Sequence, residues 1–121
     1  MNYIGVDIIE IARIEEAIKR RGQDFLLRVY TEAELQQYQR KIPSLAARFA
    51  GKEAVMKAIR APGRGVRFRD IEILADGDGQ PLVNLYGNAR KQADTLGVCR
   101  LSISLSHSRE QAIAFAIGET G

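Results

Sequence analysis

The sequence is poor in the residues that build disulfide scaffolds and zinc sites. It contains one cysteine, Cys99, and one histidine, His107, among its 121 residues. Cys99 cannot form a disulfide within the chain, and its apolar, strand-like surroundings favour a small buried thiol over a nucleophile. A zinc cluster would need a second histidine or cysteine ligand. These absences argue against disulfide-rich and zinc-binding domains, and we expect a reducing, cytoplasmic setting.

Other signals are missing as well. No stretch approaches the ~20 apolar residues of a membrane-spanning helix, and residues 1–3 do not begin a secretory signal. Low-complexity segments, repeats and flexible linkers are absent, so we predict a single domain over residues 1–121. The G-x-S-x-G elbow of serine hydrolases and the G-K-[ST] ending of Walker loops are not found either. The formal net charge of +3 permits attraction to phosphates or to an acidic partner without choosing between them.

The periodicity of apolar residues indicates an α+β fold, with helices packed against an antiparallel or mixed sheet. A capping box at Thr31 and Glu34 begins one of the helices. The predicted elements are a strand at 3–9, helices at 10–21, 24–30 and from Thr31 to about Arg40, a long helix at 45–59 with Ser44 as its N-cap, a hairpin between 68 and 85, a short helix between Asn88 and Gly97, and strands at 101–105 and 112–117.

Two acidic residues stand out because they lie among apolar neighbours. Asp7 interrupts an apolar strand, where a carboxylate needs a partner or a cation, although it can instead cap the helix that begins near Glu10. Glu53 lies on the long helix, where it can form an exposed i,i+4 pair with Lys57 worth ~0.2–0.5 kcal/mol. If the strand end meets the helix, both acids supply the one or two carboxylates that Mg²⁺ usually takes.

Basic residues on the same long helix are candidates for phosphate binding. Arg48, Lys52 and Lys57 offer N–H donors to phosphate oxygens, although any one of them can also be a solvated surface cation. Arg13 lacks the i,i+4 acid that pairs with other cations of the first helix, so Arg13 and Arg28 are candidates for contact with another molecule. A carboxylate bracketed by cations suits a metal and a polyphosphate better than water alone.

The only histidine lies in a predicted turn between the last two strands. His107 is flanked by Ser106 and Ser108, a position from which a rigid sheet edge can display a binding residue. The alternative is that His107 is an ordinary loop residue with no functional role.

Five segments together resemble one family over nearly the whole chain. They are GVDIIEIARI at 5–14, RVYTEAEL at 28–35, AARFAGKEAVMKAI at 46–59, FRDIEIL at 68–74 and SISLSHS at 102–108. In order and spacing they resemble the holo-[acyl-carrier-protein] synthases, the small type of 4′-phosphopantetheinyl transferase. This resemblance implies transfer of phosphopantetheine from coenzyme A to a serine of apo acyl carrier protein, with release of adenosine 3′,5′-bisphosphate. It also implies the transferase fold and a homotrimer with active sites at the subunit interfaces.

The resemblance assigns roles to single residues. It implies that Asp7 and Glu53 hold Mg²⁺, or Mn²⁺ in its place, and that Lys57 acts beside them at the reacting phosphates. It implies that Arg13 and Arg28 dock the acidic carrier protein. The implied coenzyme A contacts are Arg48, Phe49, Lys52, Lys57, Gly63, Gly65, Ser106, His107 and Ser108. The proton of the carrier-protein serine passes to a metal-bound water or to Glu53, and we favour the water.

The chain departs from the family directly after the long helix. Residues 60–63 read R-A-P-G where the family usually shows a G-T-G-like segment, and the stretch to Phe68 is about one residue short. A rival interpretation is a non-catalytic basic module that binds nucleic acid. It is disfavoured because the basic residues are scattered among acids and no DNA- or RNA-binding motif is found. We therefore expect neither nucleic acid nor a membrane as a partner.

Overall fold

The computed structural model describes residues 1–38 and 41–121. The elements in these ranges are β1 (Asn2–Glu10), α1 (Ile11–Arg21), α2 (Gln23–Val29), α3 (Glu32–Tyr38), α4 (Ile42–Ala58), β2 (Ile71–Ala75), β3 (Pro81–Leu85), α5 (Gly87–Leu96), β4 (Val98–His107) and β5 (Gln111–Thr120), with a 3₁₀ turn before β2. The predicted α+β class is confirmed. The predicted end of α3 near Arg40 lies outside the described residues.

The strands form two antiparallel sheets. The larger sheet has the order β1-β5-β4, so β5 is its central strand, and the smaller is the β2–β3 hairpin. In the larger sheet Asp7 lies opposite Ala114, which in turn lies opposite Leu105. The chain turns back between β2 and β3 because Asp76 Oδ1 accepts bonds from the amides of Asp78, at 2.8 Å, and Gln80, at 3.0 Å. The hairpin predicted from the sequence is therefore confirmed.

Helix α4 is the centre of the molecule. On one side it packs on β1 and β5, and on the other its first half contacts the helices α1 to α3. Small residues permit the close approach, namely Ala50, Ala54 and Ala58 on α4 and Ala112, Ala114 and Ala116 on β5, all of them buried. Because these alanines contribute only methyl groups to the contact, the main chain of α4 lies close to the main chain of the sheet.

Two local predictions were wrong. Helix α4 begins at Ile42 and has Lys41 at its N-cap, so Ser44 lies inside the helix instead of capping it. Pro43 is tolerated in the first turn because the amides there have no partner within the helix. Cys99 is exposed, since a β-bulge between Val98 and Arg100 shifts the register of β4 and turns the thiol outward.

No helix within the described ranges is both long enough and apolar enough to cross a membrane.

Candidate active site

Strand β1 lies directly on helix α4 at Gly5. A Cβ atom added to Gly5 would sit 1.9 Å from the carbonyl oxygen of Ala54 and 2.8 Å from the amide nitrogen of Ala58. Neither neighbour is a side chain that can move aside, so any larger residue would force the strand away from the helix. The glycine of the G-x-D motif therefore lets Asp7, two residues later on the same strand face, reach α4.

Asp7, Glu53 and Lys57 meet along this seam between β1 and α4. Lys57 Nζ donates to Asp7 Oδ1 at 2.9 Å and to the carbonyl oxygen of Val6 at 3.0 Å. Burial raises the pKa of Glu53, and the Asp7 carboxyl within hydrogen-bonding reach raises it further. The two acids, separated by 46 positions in sequence, are thus neighbours in space. We call these three residues the carboxylate cluster.

The cluster resolves two alternatives left open by the sequence. Asp7 does not cap α1, because the N-cap position is Glu10 and no side chain bonds to the helix end there. Lys57 pairs with Asp7 and not with Glu53, so the i,i+4 pair on the helix surface is not formed.

The donors of the cluster suit a hard divalent cation. Carboxylate oxygens are the ligands that Mg²⁺ prefers, and it takes only one or two of them while water and phosphate oxygens complete its octahedron. Within residues 1–38 and 41–121 no group of three or more His, Cys, Asp or Glu side chains is placed to hold a metal. A pair of carboxylates whose proximity raises the pKa of Glu53 fits an ion of this kind, which would relieve their repulsion.

Lys52 is not at the site, which corrects its assignment to phosphate binding. Its side chain is completely buried, and its ammonium donates to Glu34 Oε1 at 2.8 Å, to the carbonyl oxygen of Phe68 at 3.1 Å and to that of Ile71. An ammonium has three N–H donors, so none is left for a phosphate. Lys52 belongs to the core.

Arg48 and His107 line a second region, a cavity of about 230 Å³ between the start of α4 and the end of β4. The Arg48 guanidinium carbon lies 4.0 Å from the centre of the Tyr38 ring, and Arg48 Nε is buried without a hydrogen-bond partner. The Tyr38 hydroxyl donates to the carbonyl oxygen of Ile73 at 3.1 Å, which fixes the ring. The cation is therefore held in place by an aromatic face and not by an acid, so its other donors can meet an anion.

The two serines beside His107 have different surroundings. Ser106 lines the same cavity and also a neighbouring one that reaches Ile8. The Ser108 hydroxyl accepts bonds from the amides of Glu110 and Gln111, at 3.4 and 3.2 Å, and so stabilises the turn before β5.

Phe49 on α4, a further predicted contact of coenzyme A, is stacked between Phe25 and Phe68, with ring centres 6.3 and 5.0 Å away. Contacts of these residues with coenzyme A stay predictions.

The loop after α4 contains the two predicted glycines. Gly63 and Gly65 both have positive φ, at 81° and 70°, where glycine is favoured. A Cβ on Gly63 would meet nothing within 4 Å, so conformation and not space requires this glycine. Their role at a nucleotide stays a prediction.

Arg13 and Arg28 lie exposed on the helical side of the molecule. Arg13 lies near enough to the carboxylate cluster to lower the pKa of Glu53, against the larger effects that raise it. Arg28 lines a shallow cavity of about 480 Å³ with Arg21, Asp24 and Leu27, and Leu27 is 46% exposed. The sequence analysis did not single out Leu27 and Arg21 as neighbours of Arg28. An apolar residue directly before Arg28 on an amphipathic helix could have indicated an exposed contact surface.

The site residues of one chain lie on different faces of α4. Arg48 is about 140° around the helix axis from Glu53 and about 180° from Lys57, at 100° per residue. The cavity with Arg48 and His107 opens at β4, whereas the carboxylate cluster lies at β1, and β5 separates these two strands. A single chain therefore presents two half-sites, one acidic and one basic.

Known proteins resemble this chain over nearly its whole length. A family model for the 4′-phosphopantetheinyl transferase superfamily matches residues 3–116. The chain belongs to the 4′-phosphopantetheinyl transferase superfamily. A holo-[acyl-carrier-protein] synthase of Dehalococcoides mccartyi is 52% identical over 119 residues, which cover 98% of this chain and 99% of that protein. One of Herpetosiphon aurantiacus is 47% identical over 125 residues, covering 98% of each.

Solved structures of this transferase superfamily share the fold of the chain at lower sequence identity. The holo-[acyl-carrier-protein] synthase of Helicobacter pylori in complex with coenzyme A has a TM-score of 0.86 and 36% identity, covering 96% of this chain and 99% of that one. The enzyme of Neisseria meningitidis has a TM-score of 0.83 and 34% identity, covering 98% of each chain. The family, the enzyme class and the fold predicted from the sequence are thereby confirmed.

Proposed function

We propose that this protein transfers 4′-phosphopantetheine from coenzyme A to a serine hydroxyl of apo acyl carrier protein, releases adenosine 3′,5′-bisphosphate and supports fatty acid or polyketide synthesis. One observation carries the proposal. Asp7, Glu53 and Lys57, distant in sequence, form one cluster at the surface of a chain that belongs to the transferase superfamily.

The parts of the cluster have distinct tasks in this proposal. Asp7 and Glu53 would hold Mg²⁺, or Mn²⁺ in its place, and such an ion would supply positive charge against the pyrophosphate. The Lys57 side chain is 57% exposed, and its ammonium donates to two oxygen atoms of this chain, those of Asp7 and Val6. One N–H donor is therefore left for a phosphate. The ammonium stabilises the negative charge that develops on the leaving bisphosphate.

The attacking serine must lose its proton during the transfer. Glu53 has a raised pKa because of burial and the nearby Asp7 carboxyl, which suits a proton acceptor. Engagement with a cation weakens a carboxylate as a base, so we assign the proton to water at the site and the positioning role to Glu53.

We further propose that the chain forms a homotrimer in which the basic half-site of one copy faces the acidic half-site of the next. Arg48 and His107 would then contact the coenzyme A held at a neighbour's Glu53. Support comes from the outer face of the large sheet, where apolar side chains are exposed side by side. They are Ile4, Val6, Ile8, Ile113 and Phe115, each at least 41% exposed. The register brings Val6 opposite Phe115 and Ile8 opposite Ile113, so the patch is continuous.

Acyl carrier protein is the proposed macromolecular partner, in a cytoplasmic setting. Arg13 and Arg28 have no ion pair within the described residues. Leu27, which lines the same cavity as Arg28, adds an exposed apolar side chain. A surface with unpaired cations around an exposed apolar side chain suits an acidic helix.

The reaction type is tested by the intact mass of apo acyl carrier protein after incubation with this protein, coenzyme A and Mg²⁺. A gain of one phosphopantetheine arm, about 340 Da, is expected from the covalent change. Asp7→Asn and Glu53→Gln should abolish the gain, whereas Lys91→Gln on the distant surface of α5 should leave it intact. A full gain in excess EDTA, or with both variants, would rule out the cation at this cluster.

The docking surface is tested by replacing Arg13 with glutamate. Reversal of one charge at an interface of this kind should raise KM for carrier protein about tenfold and leave the affinity for coenzyme A unchanged. Lys91→Glu is the matched control, because it makes the same charge change on α5. Equal weakening of both substrates by Arg13→Glu would show that Arg13 serves the coenzyme A site instead.

A further inference from the structure

Arg60 has a backbone conformation that arginine normally avoids. Its φ is 55°, and it is the only residue other than glycine with positive φ in the ranges 1–38 and 41–121. The left-handed region brings Cβ close to the following carbonyl oxygen and is favourable chiefly for glycine, and to a lesser degree for asparagine. A glycine would hold this turn with less strain, so the arginine calls for an explanation in its side chain.

Neighbouring groups hold the backbone of Arg60 in this conformation. Gln92 Nε2 on α5 donates to the carbonyl oxygens of Ile59, at 2.9 Å, and Arg60, at 3.3 Å. The amide of Arg60 donates to the carbonyl oxygen of Lys57 at 3.2 Å, which closes the last turn of α4. The direction in which the side chain leaves the main chain is therefore set by the fold.

The side chain is directed along the seam that also contains the carboxylate cluster. The guanidinium carbon lies 5.2 Å from the centre of the Tyr3 ring on β1. Tyr3, Gly5 and Asp7 alternate onto one face of β1, the face toward α4. Arg60 follows Lys57 by three residues and lies just beyond the end of α4 at Ala58. The aromatic face therefore holds the guanidinium at the Tyr3 end of the seam, four residues, or about 13 Å, along β1 from Asp7.

The charge of Arg60 is unpaired. It is exposed and forms no salt bridge with any carboxylate of the described residues. A planar guanidinium on an aromatic ring keeps its N–H edge free for a forked contact with a phosphate. Coenzyme A carries a pyrophosphate and a ribose 3′-phosphate, and with Lys52 buried the seam has only Lys57 to meet them from α4.

Resting on the proposed function, we infer that Arg60 binds a phosphate at the nucleotide end of coenzyme A, and that its strained backbone serves to aim the guanidinium. The residue lies in the segment where the sequence departs from the G-T-G-like pattern of the family. This chain thus gains a phosphate contact at a position where glycine would supply none.

The inference predicts opposite effects on stability and on binding. Arg60→Gly and Arg60→Asn relax the turn and should raise Tm by about 2–6 °C, because both residues adopt positive φ more readily. Both should weaken coenzyme A binding about tenfold, as expected for the loss of a charge-assisted contact. Arg60→Lys keeps the charge and the strain, so its Tm should not rise and its affinity should fall only two- to threefold.

Calorimetry with coenzyme A and with dephospho-coenzyme A, which lacks the 3′-phosphate, identifies the phosphate. A loss for coenzyme A alone assigns the ribose 3′-phosphate, and equal losses for both ligands assign the pyrophosphate. Arg90→Ala on α5 is the control for the removal of one exposed arginine and should change neither affinity.

Two outcomes would overturn the inference. Wild-type affinity of Arg60→Gly and Arg60→Asn for both ligands means that Arg60 touches no phosphate. A fall in Tm for both variants means that the arginine is a structural cap on Tyr3. Either result leaves the proposed function standing if the wild-type protein still modifies carrier protein. Failure of the wild-type protein to bind coenzyme A or to modify carrier protein overturns the proposed function, and this inference with it.

Discussion

Helix α4 carries two lysine–carboxylate pairs that have nearly the same length and opposite surroundings. Lys52 lies 2.8 Å from Glu34, and both side chains are fully buried. Lys57 lies 2.9 Å from Asp7, and these side chains are 57% and 14% exposed. Five positions on one helix thus separate an ion pair in the core from an ion pair at the surface.

The difference shows which pair is available for chemistry. In the buried pair, Glu34 also accepts bonds from the amides of Thr31 and Ile73, both at 2.8 Å, so all three donors of the ammonium and both oxygens of the carboxylate are engaged. Burial lowers the pKa of Lys52, and the nearby Glu34 opposes this effect. A saturated pair joins α3, α4 and β2, whereas the exposed pair retains donors and lone pairs for a substrate. The two pairs therefore differ in burial and in unused hydrogen-bonding groups and not in the distance between the charges. These two properties distinguish a structural ion pair from one that can bind a substrate.

Breaking the buried pair should have the largest effect. Lys52→Met leaves Glu34 charged, buried and without its cation, which should lower the free energy of unfolding by about 3–5 kcal/mol. Urea unfolding followed by circular dichroism measures this loss, with Lys19→Met on the exposed face of α1 as the control. Lys52→Met combined with Glu34→Gln should recover part of the loss. A stability within 1 kcal/mol of wild type for Lys52→Met would remove the contrast between the two pairs.

Breaking the exposed pair should change the reaction more than the fold. In the proposed reaction Lys57→Met removes the ammonium that stabilises charge in the transition state, so kcat should fall about 10²-fold, or roughly 3 kcal/mol. Because the side chain is more than half exposed, the free energy of unfolding should fall by about 1 kcal/mol or less. Transfer rates and urea curves of Lys57→Met and Lys91→Met, an exposed lysine of α5, give the comparison. A large loss of stability with unchanged kcat would make Lys57 a structural residue like Lys52.

The smallest effect concerns the like charges of the exposed cluster. Glu53→Gln removes a carboxylate beside Asp7, so in buffer with EDTA the variant should be more stable than wild type by about 0.5–1 kcal/mol. In the proposed function the two acids hold the ion together, so added Mg²⁺ should then stabilise the wild-type protein and not the variant. Urea unfolding with and without Mg²⁺ provides both values. A variant less stable than wild type in EDTA would show that the two acids do not repel each other.

The sequence predicted the charged residues of both pairs, but it did not show which lysine is buried and which is exposed. The capping box at Thr31 and Glu34 is formed as predicted, since such a motif depends only on local spacing. That Glu34 also binds Lys52 depends on how α3 packs against α4, which local spacing does not reveal. The sequence did show that Lys52 and Lys57 lie on different faces of the helix, because five residues place two side chains about 140° apart around its axis.

The residues of the site were recognisable from local sequence, whereas their proximity was implied only by the family resemblance. Asp7 was recognisable because an acid in an apolar strand needs a partner. Local spacing could not show that its strand meets Glu53 and Lys57, and the crossing of β1 and α4 provides that contact. The division between Glu53 on one face and Arg48 on another follows from helical spacing, whereas the contact of Arg48 with Tyr38 does not. Likewise, the residue type of Arg60 argues against its positive φ, and only the G-T-G-like pattern of the family in this segment indicated such a conformation.

The contact at Gly5 has a consequence for the engineering of carrier-protein preference. Asp7 is brought to α4 by main-chain atoms of Ala54 and Ala58, which no substitution can remove. Redesign of the α1 and α2 surfaces should therefore leave the gap between the two acids unchanged. In the proposed function these helices dock the carrier protein, so a library that randomises them can search for new acceptors while the backbone contact that positions the two acids stays unchanged.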